Sequence, residues 1–168
     1  MERAGTVILG LGNPILTDDA IGVRLAGEAR GRFGARPDVE IHEECPVGGL
    51  ELLEFLDGYR RAIVIDAIHT EGGRTGDCYR FTATALRGTV NLNNVHDANF
   101  ATALALGRRL GQRLPEDDEI HVFAVEVADD LTFGTELSAE LAPCYPFCRE
   151  QVLAGIEELL EEATPEAS

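Results

Sequence analysis

Lysine is missing from this sequence altogether, so all 14 basic residues are arginine. Its absence removes the phosphate-binding lysine of a P-loop, the lysine that forms a Schiff base with pyridoxal phosphate, and the lysine-activated nucleophile. Serine is nearly missing too. Ser138 and Ser168 are the only ones, and neither lies in a G-x-S-x-G elbow. Serine hydrolase chemistry is close to excluded. No apolar run approaches the length of a membrane span. The opening residues Met1 to Gly5 lead into six apolar, strand-like residues, too few for the core of a signal peptide. The chain is therefore expected to stay in the cytoplasm, with no membrane partner.

Positive charge is scarce. Fourteen bases against 30 acids give a formal net charge of −16. That field repels phosphate backbones, which argues against nucleic acid as a partner, and it attracts cations and basic peptide segments. The runs Glu116 to Glu119, Glu157-Glu158 and Glu161-Glu162 read as plain solvated surface. Cysteine is sparse: Cys45, Cys78, Cys144 and Cys148. In a cytoplasmic chain they are expected to be reduced. Cys144 and Cys148 flank Tyr-Pro-Phe, with no second close pair to complete a structural zinc site. Buried, inert thiols are the simpler reading. Cys45, beside Pro46 and a glycine pair, stands out from the other three.

What is present describes one ordinary folded domain over residues 1–168, with a tail from about 164 expected to fray. Thr6 to Leu11 is a continuous apolar run that turns at Gly12-Asn13-Pro14, a buried strand. Ile21, Leu25, Ala29 and Phe33 recur every four residues and predict a helix from about Asp19 to Phe33. Asp18 and Asp19 fall at its start, where carboxylates suit the free N–H groups. Val39 to Glu43 predicts a strand. Gly48-Gly49 open a helix carrying Leu50, Leu53 and Leu56. Arg61 to Ile68 is the most hydrophobic strand, and Cys78 to Thr82 another. Asp97 to Gln112 predicts a helix with Phe100, Leu104 and Leu110 inward. Ile120 to Val127 is a strand with Glu126 near its end. A last helix, about Phe147 to Ala163, places Val152, Ile156, Leu159, Leu160 and Ala163 on one face. Strands alternating with helices imply a three-layer α/β/α sandwich around a mostly parallel, mixed sheet of about five strands. A hairpin-like stretch from Gly72 to Thr82 supplies the antiparallel strand.

In such sheets ligands bind beyond the carboxyl ends of the strands. Asp18 and Asp19 follow the first strand, Asp66 closes the apolar AIVID run with His69 after it, and His96 opens a helix. A carboxylate among the neighbours of Asp66 is costly to bury unless paired, hydrogen-bonded or coordinated. Two readings fit it equally: a ligand or catalytic group, or a loop cap bonding backbone N–H groups. Asp18 and Asp19 could equally be helix caps, and His96 a surface residue. Together, two carboxylates and one imidazole describe a divalent transition-metal site with positions left open for substrate. The loop Val47-Gly48-Gly49 is a place where a peptide backbone can approach closely. Gly10-Leu11-Gly12 begins like a dinucleotide fingerprint, but position 15 is Ile where the third glycine belongs. The string GLGNP also resembles the opening of peptidyl-tRNA hydrolases. Their following Thr-Arg-His-Asn segment is replaced here by Leu16-Thr17-Asp18-Asp19.

One resemblance covers nearly the whole chain in order. GLGNPILTDDAIGVRL (Gly10 to Leu25), VGGLELLEFL (Val47 to Leu56), IVIDAI (Ile63 to Ile68), VHDANFATAL (Val95 to Leu104), VFAVEV (Val122 to Val127) and FGTELSAEL (Phe133 to Leu141) resemble the nickel–iron hydrogenase maturation endopeptidases. The family's metal-binding residues fall on Asp19, Asp66 and His96. The resemblance implies an α/β/α fold and removal of a C-terminal extension from a hydrogenase large-subunit precursor after nickel insertion. It implies that the metal is nickel carried by the substrate, with zinc or cadmium able to substitute in vitro, and that the protein works as a monomer. With no serine nucleophile, attack by water is the default route, with Asp18 or His69 available to move protons. A non-catalytic nickel- or precursor-binding chaperone on the same scaffold is the competing reading.

Overall fold

The inner strands of the sheet are buried on both faces. The computed structural model describes residues 5–45, 49–86 and 95–162. Among them the elements run β1 (Thr6–Leu11), α1 (Ile21–Phe33), β2 (Val39–Cys45), α2 (Gly49–Leu56), β3 (Arg61–Ile68), β4 (Cys78–Thr82), α3 (Ala83–Leu86), α4 (Val95–Arg109), β5 (Ile120–Glu126) and α5 (Tyr145–Glu162). Successive side chains of a strand point to opposite faces. Ile8, Ile63, Ile65, Phe123 and Val125 pack on one side, with Ile21, Leu25 and Phe33 of α1 and Val152, Ile156 and Leu159 of α5. Val7, Leu9, Ala62, Val64 and Val122 pack on the other, with Leu52, Leu53 and Leu56 of α2 and Phe100 and Leu104 of α4. Two cores back to back on one sheet make the three-layer α/β/α sandwich that the alternating pattern predicts. Each fully buried Leu or Ile contributes roughly 1.5–3 kcal/mol.

The strand order is β2-β1-β3-β5-β4. β2, β1, β3 and β5 are mutually parallel, and β4 runs antiparallel to β5. The chain thus starts in the middle, goes to one side for β2, and returns to the other side of β1 for β3. That reversal makes the carboxyl ends of β1 and β3 the switch point where open α/β sheets bind ligands. Gly10 and Ile65 sit opposite each other there.

Several details depart from the periodicity. The helix predicted from Asp19 begins as a 3-10 turn over Thr17–Ala20, and α1 starts at Ile21. β4 is antiparallel as expected but is no hairpin partner of β3, because β5 lies between them. Leu110 lies past the end of α4 and is 70% exposed, so it does not point inward. Leu50 is likewise exposed and Leu52 buried in its place, since a helix opening at Gly49 turns positions 52, 53 and 56 toward the sheet. Ala163 and the tail expected to fray lie outside the described residues. No helix among the described residues is long and apolar enough to cross a membrane.

Arg61 ties the far end of the sheet together. Its buried guanidinium bonds Glu119 at 2.6 Å and also donates to the Leu159 carbonyl of α5. The same bond holds the Glu119 carboxyl below its ordinary range.

Candidate functional site

The site is built on Gly12. Its φ of +127° turns the chain sharply at the end of β1, and a side chain there would collide with the Asp19 carbonyl, 2.0 Å from where a Cβ would stand. Only glycine lets the Thr17–Ala20 turn fold back over the strand end. That turn carries two adjacent aspartates with different fates.

Asp18 is fully buried. Its Oδ2 accepts from the N–H groups of Ala128 and Asp129 at 3.1 and 2.9 Å and from the Ser138 hydroxyl at 2.7 Å, while Oδ1 accepts from the Ser138 N–H at 2.7 Å. No side chain caps the turn. The expectation that Asp18 caps the helix is therefore corrected, and so is its role as a proton carrier. It holds residues 128–138 from within, with both carboxylate oxygens bonded to that segment. The Asp18 N–H donates back to the Asp129 carbonyl, and the Thr17 hydroxyl to the Thr132 carbonyl.

Asp19 is half-buried and keeps its carboxylate at the strand end, where Oδ2 accepts the Asn13 N–H at 2.8 Å. Asp66, on the adjacent strand, is also half-buried, and its Oδ1 accepts the Ala67 N–H at 2.8 Å. The two carboxylates thus lie at neighbouring parallel strands at the switch point, each accepting from a backbone N–H. Partners of that kind fix the direction of a metal-ligating carboxylate. Asp66 Oδ1 thus bonds the backbone of its own strand.

His96 lies in the first turn of α4. Its side chain is outside the described residues, as are Val47, Gly48 and the stretch Asn91 to Asn94; Gly49 opens α2. Among the described residues no group of three His, Cys, Asp or Glu side chains is placed to hold a metal ion. The described part of the donor set is the carboxylate pair, whose hard oxygens suit divalent cations and, joined by an imidazole, nickel or zinc.

Two features at this edge carry weaker sequence signals. His69, exposed just past β3, stands 3.6 Å from Asp130 through Nδ1. Glu126, buried at the end of β5, accepts from the N–H of Thr70 at 2.7 Å and from its hydroxyl at 2.9 Å. It pins the loop that carries His69, and its signal is the single acid ending the apolar run IHVFAVEV.

The thiols offer no nucleophile here. Burial pushes Cys45 up to about 11, which leaves it protonated at neutral pH and poorly nucleophilic. The Cys78 and Cys148 thiols interact with each other, which raises Cys78 and lowers Cys148. Both thiols reach the Gly76 carbonyl, beside Cys144, which bonds Thr75. Chain folding thus brings Cys78 beside the close sequence pair Cys144 and Cys148, all four cysteines being free.

No protein-family model matches the chain. A curated relative does: the hydrogenase 2 maturation protease of Escherichia coli strain K12 is 28% identical over 165 residues, covering 95% of this chain and 94% of that protein. A solved hydrogenase maturating endopeptidase, HybD from E. coli, superposes with a TM-score of 0.70 at 25% identity, over 92% of this chain and 93% of its own. The [NiFe] hydrogenase maturation protease HybD from Thermococcus kodakarensis shares the fold at a TM-score of 0.65 and 24% identity, over 93% of this chain and 99% of its own.

Proposed function

The chain belongs to the hydrogenase maturation endopeptidase family, and on that premise we propose that it removes the C-terminal extension of a nickel–iron hydrogenase large-subunit precursor once nickel is in place. The observation that carries this reading is the pair Asp19 and Asp66, lying at adjacent strands at the switch point of the sheet. Asp19, Asp66 and His96 take the nickel borne by the precursor, so the ion is part of the substrate; zinc or cadmium suits the same donors. A metal held by these residues would supply Lewis-acid polarisation of the scissile carbonyl and a more acidic water.

The rest of the reaction falls to the chain's own groups. Water attacks the carbonyl carbon, the C–N bond breaks, and the leaving amine takes a proton. His69, exposed and steadied by Asp130, moves that proton. The segment Val47-Gly48-Gly49 seats the peptide backbone, where the glycine pair allows close approach. The protein acts in the cytoplasm as a monomer.

Intact-mass spectrometry of three mixtures tests this reading. Nickel-loaded precursor is expected to lose one C-terminal peptide, whereas nickel-free precursor and casein stay whole. Asp66→Ala is expected to abolish the cut while the protein remains folded. Equal cutting of loaded and nickel-free precursor would remove nickel recognition. Binding of precursor without any mass loss would make the protein a chaperone.

A further inference from the structure

Residues 128–138 and 13–17 form a single polar-stitched unit. The unit turns three large apolar side chains outward. Ile15 is 52% exposed, Leu131 82% and Phe133 76%. Ordinary loops bear isolated apolar residues, but grouped and outward-facing ones mark a contact surface. These are grouped by backbone pairing: Leu16 bridges Phe133, and the Gly134 N–H donates to the Ile15 carbonyl at 2.9 Å.

The unit is also held stiff. Asp129 accepts from the N–H groups of Leu131 and Thr132 at 3.2 and 2.9 Å, closing the turn that presents Leu131. The Thr17 hydroxyl and Asp18 fasten the same turn from beneath. Anchors held in place before binding lose less entropy on association. The patch is continuous with the site, because Asn13, whose N–H donates to the Asp19 carboxylate, begins the 13–17 segment.

Its surroundings are acidic. Residues 128–138 contain Asp129, Asp130 and Glu136 and no base. The arginine that reaches this loop, Arg24, is engaged with the Thr135 carbonyl.

We infer that Ile15, Leu131 and Phe133 form the docking surface for an apolar segment of the precursor flanked by basic side chains, seated beside Asp19 and Asp66. The inference rests on the function proposed above. The apolar side chains supply the anchor, and the acidic surroundings favour basic neighbours and disfavour acidic ones.

The test compares steady-state cleavage of nickel-loaded precursor by wild type and by Leu131→Ser/Phe133→Ser. All three anchors are exposed, so the fold does not depend on them. KM is expected to rise at least about 10-fold with kcat within about twofold, as loss of two interface anchors implies. Phe133→Leu is expected to restore KM nearly to the wild-type value. Glu136→Lys is expected to raise KM at low salt and to flatten its salt dependence. If wild type cuts the precursor and the double variant does so with unchanged KM, the docking surface is refuted while the protease reading stands. If wild type neither binds nor cuts it, the protease reading fails and takes the docking surface with it. Self-association of wild type, lost in the double variant by sedimentation, would assign the patch to a second copy and overturn the inference.

Discussion

The candidate site has two walls made in different ways. One is the end of β1 with the start of α1, where backbone meets backbone: a Cβ on Gly22 would lie 2.2 Å from the Leu11 carbonyl oxygen and 2.5 Å from that of Ile65. Helix and strands touch there with no side chain between them. The other wall, residues 128–138, holds no regular strand or helix and hangs on Asp18. Close packing has no alternative arrangement to relax into, whereas a set of hydrogen bonds to one carboxylate stands or falls with it. One wall is a fixed reference, and the other is removable as a unit.

Substitution at Asp18 is the sharpest way to break that contrast. Asp18→Asn keeps the volume but turns an NH₂ group toward backbone donors, whichever way the amide flips. The lost charged hydrogen bonds and the orphaned N–H together cost about 3 kcal/mol, falling mainly on the docking of residues 128–138. Limited proteolysis is expected to cut within that segment while far-UV circular dichroism stays native. Gly22→Ala is the complementary change. Alanine favours the helix by about 1 kcal/mol, but overpacking against two carbonyls costs about 3 kcal/mol, for a net loss of about 2 kcal/mol. A urea midpoint shift without new cutting in 128–138 would match this; cutting there would show that the two walls are coupled.

Acid provides the smallest and most local perturbation. The Thr132 hydrogen bond, with the N–H groups of Thr132 and Leu131, holds the Asp129 carboxyl below its ordinary 3.8. A folded value below the unfolded one means that Asp129 helps the turn fully above about pH 4. The help is lost as pH falls through the lowered value. Amide chemical shifts of Leu131 and Thr132 are expected to titrate there before those of β1 move.

The fixed wall was legible in the sequence and the removable one was not. A continuous apolar run, a turn at Gly12 and a four-residue period announce β1 and α1, because each signal lies within a few neighbours. Asp66 was legible for the same reason, as an acid closing an apolar strand. Asp18 misled because an aspartate before a helical pattern looks like a cap. Its true partners lie 110 to 120 residues further along the chain, and no local pattern records them. The place of β4 escaped likewise, since adjacency to β5 is decided by sheet closure and not by the turn at Gly72. Leu50 and Leu110 were misplaced by helix boundaries that differ by a few residues from the periodic estimate, enough to rotate a side chain out of the core.

The edge of the sheet at β2 carries a last consequence. Among the described residues β2 pairs only with β1, and its outer side belongs to a strand reading Val-Glu-Ile-His-Glu-Glu-Cys. Glu40 and Glu44 are exposed, and Glu43 forms an ion pair with Arg30 across to α1. An incoming extended chain would have to lie along those carboxylates to form its hydrogen-bond ladder, and charged edge strands resist such additions. Many proteins that handle extended peptide tails capture them as an extra strand on an open edge. This edge disfavours that mode. On the function proposed above, a tail reaching the carboxylates at the switch point would come by a route other than addition to β2.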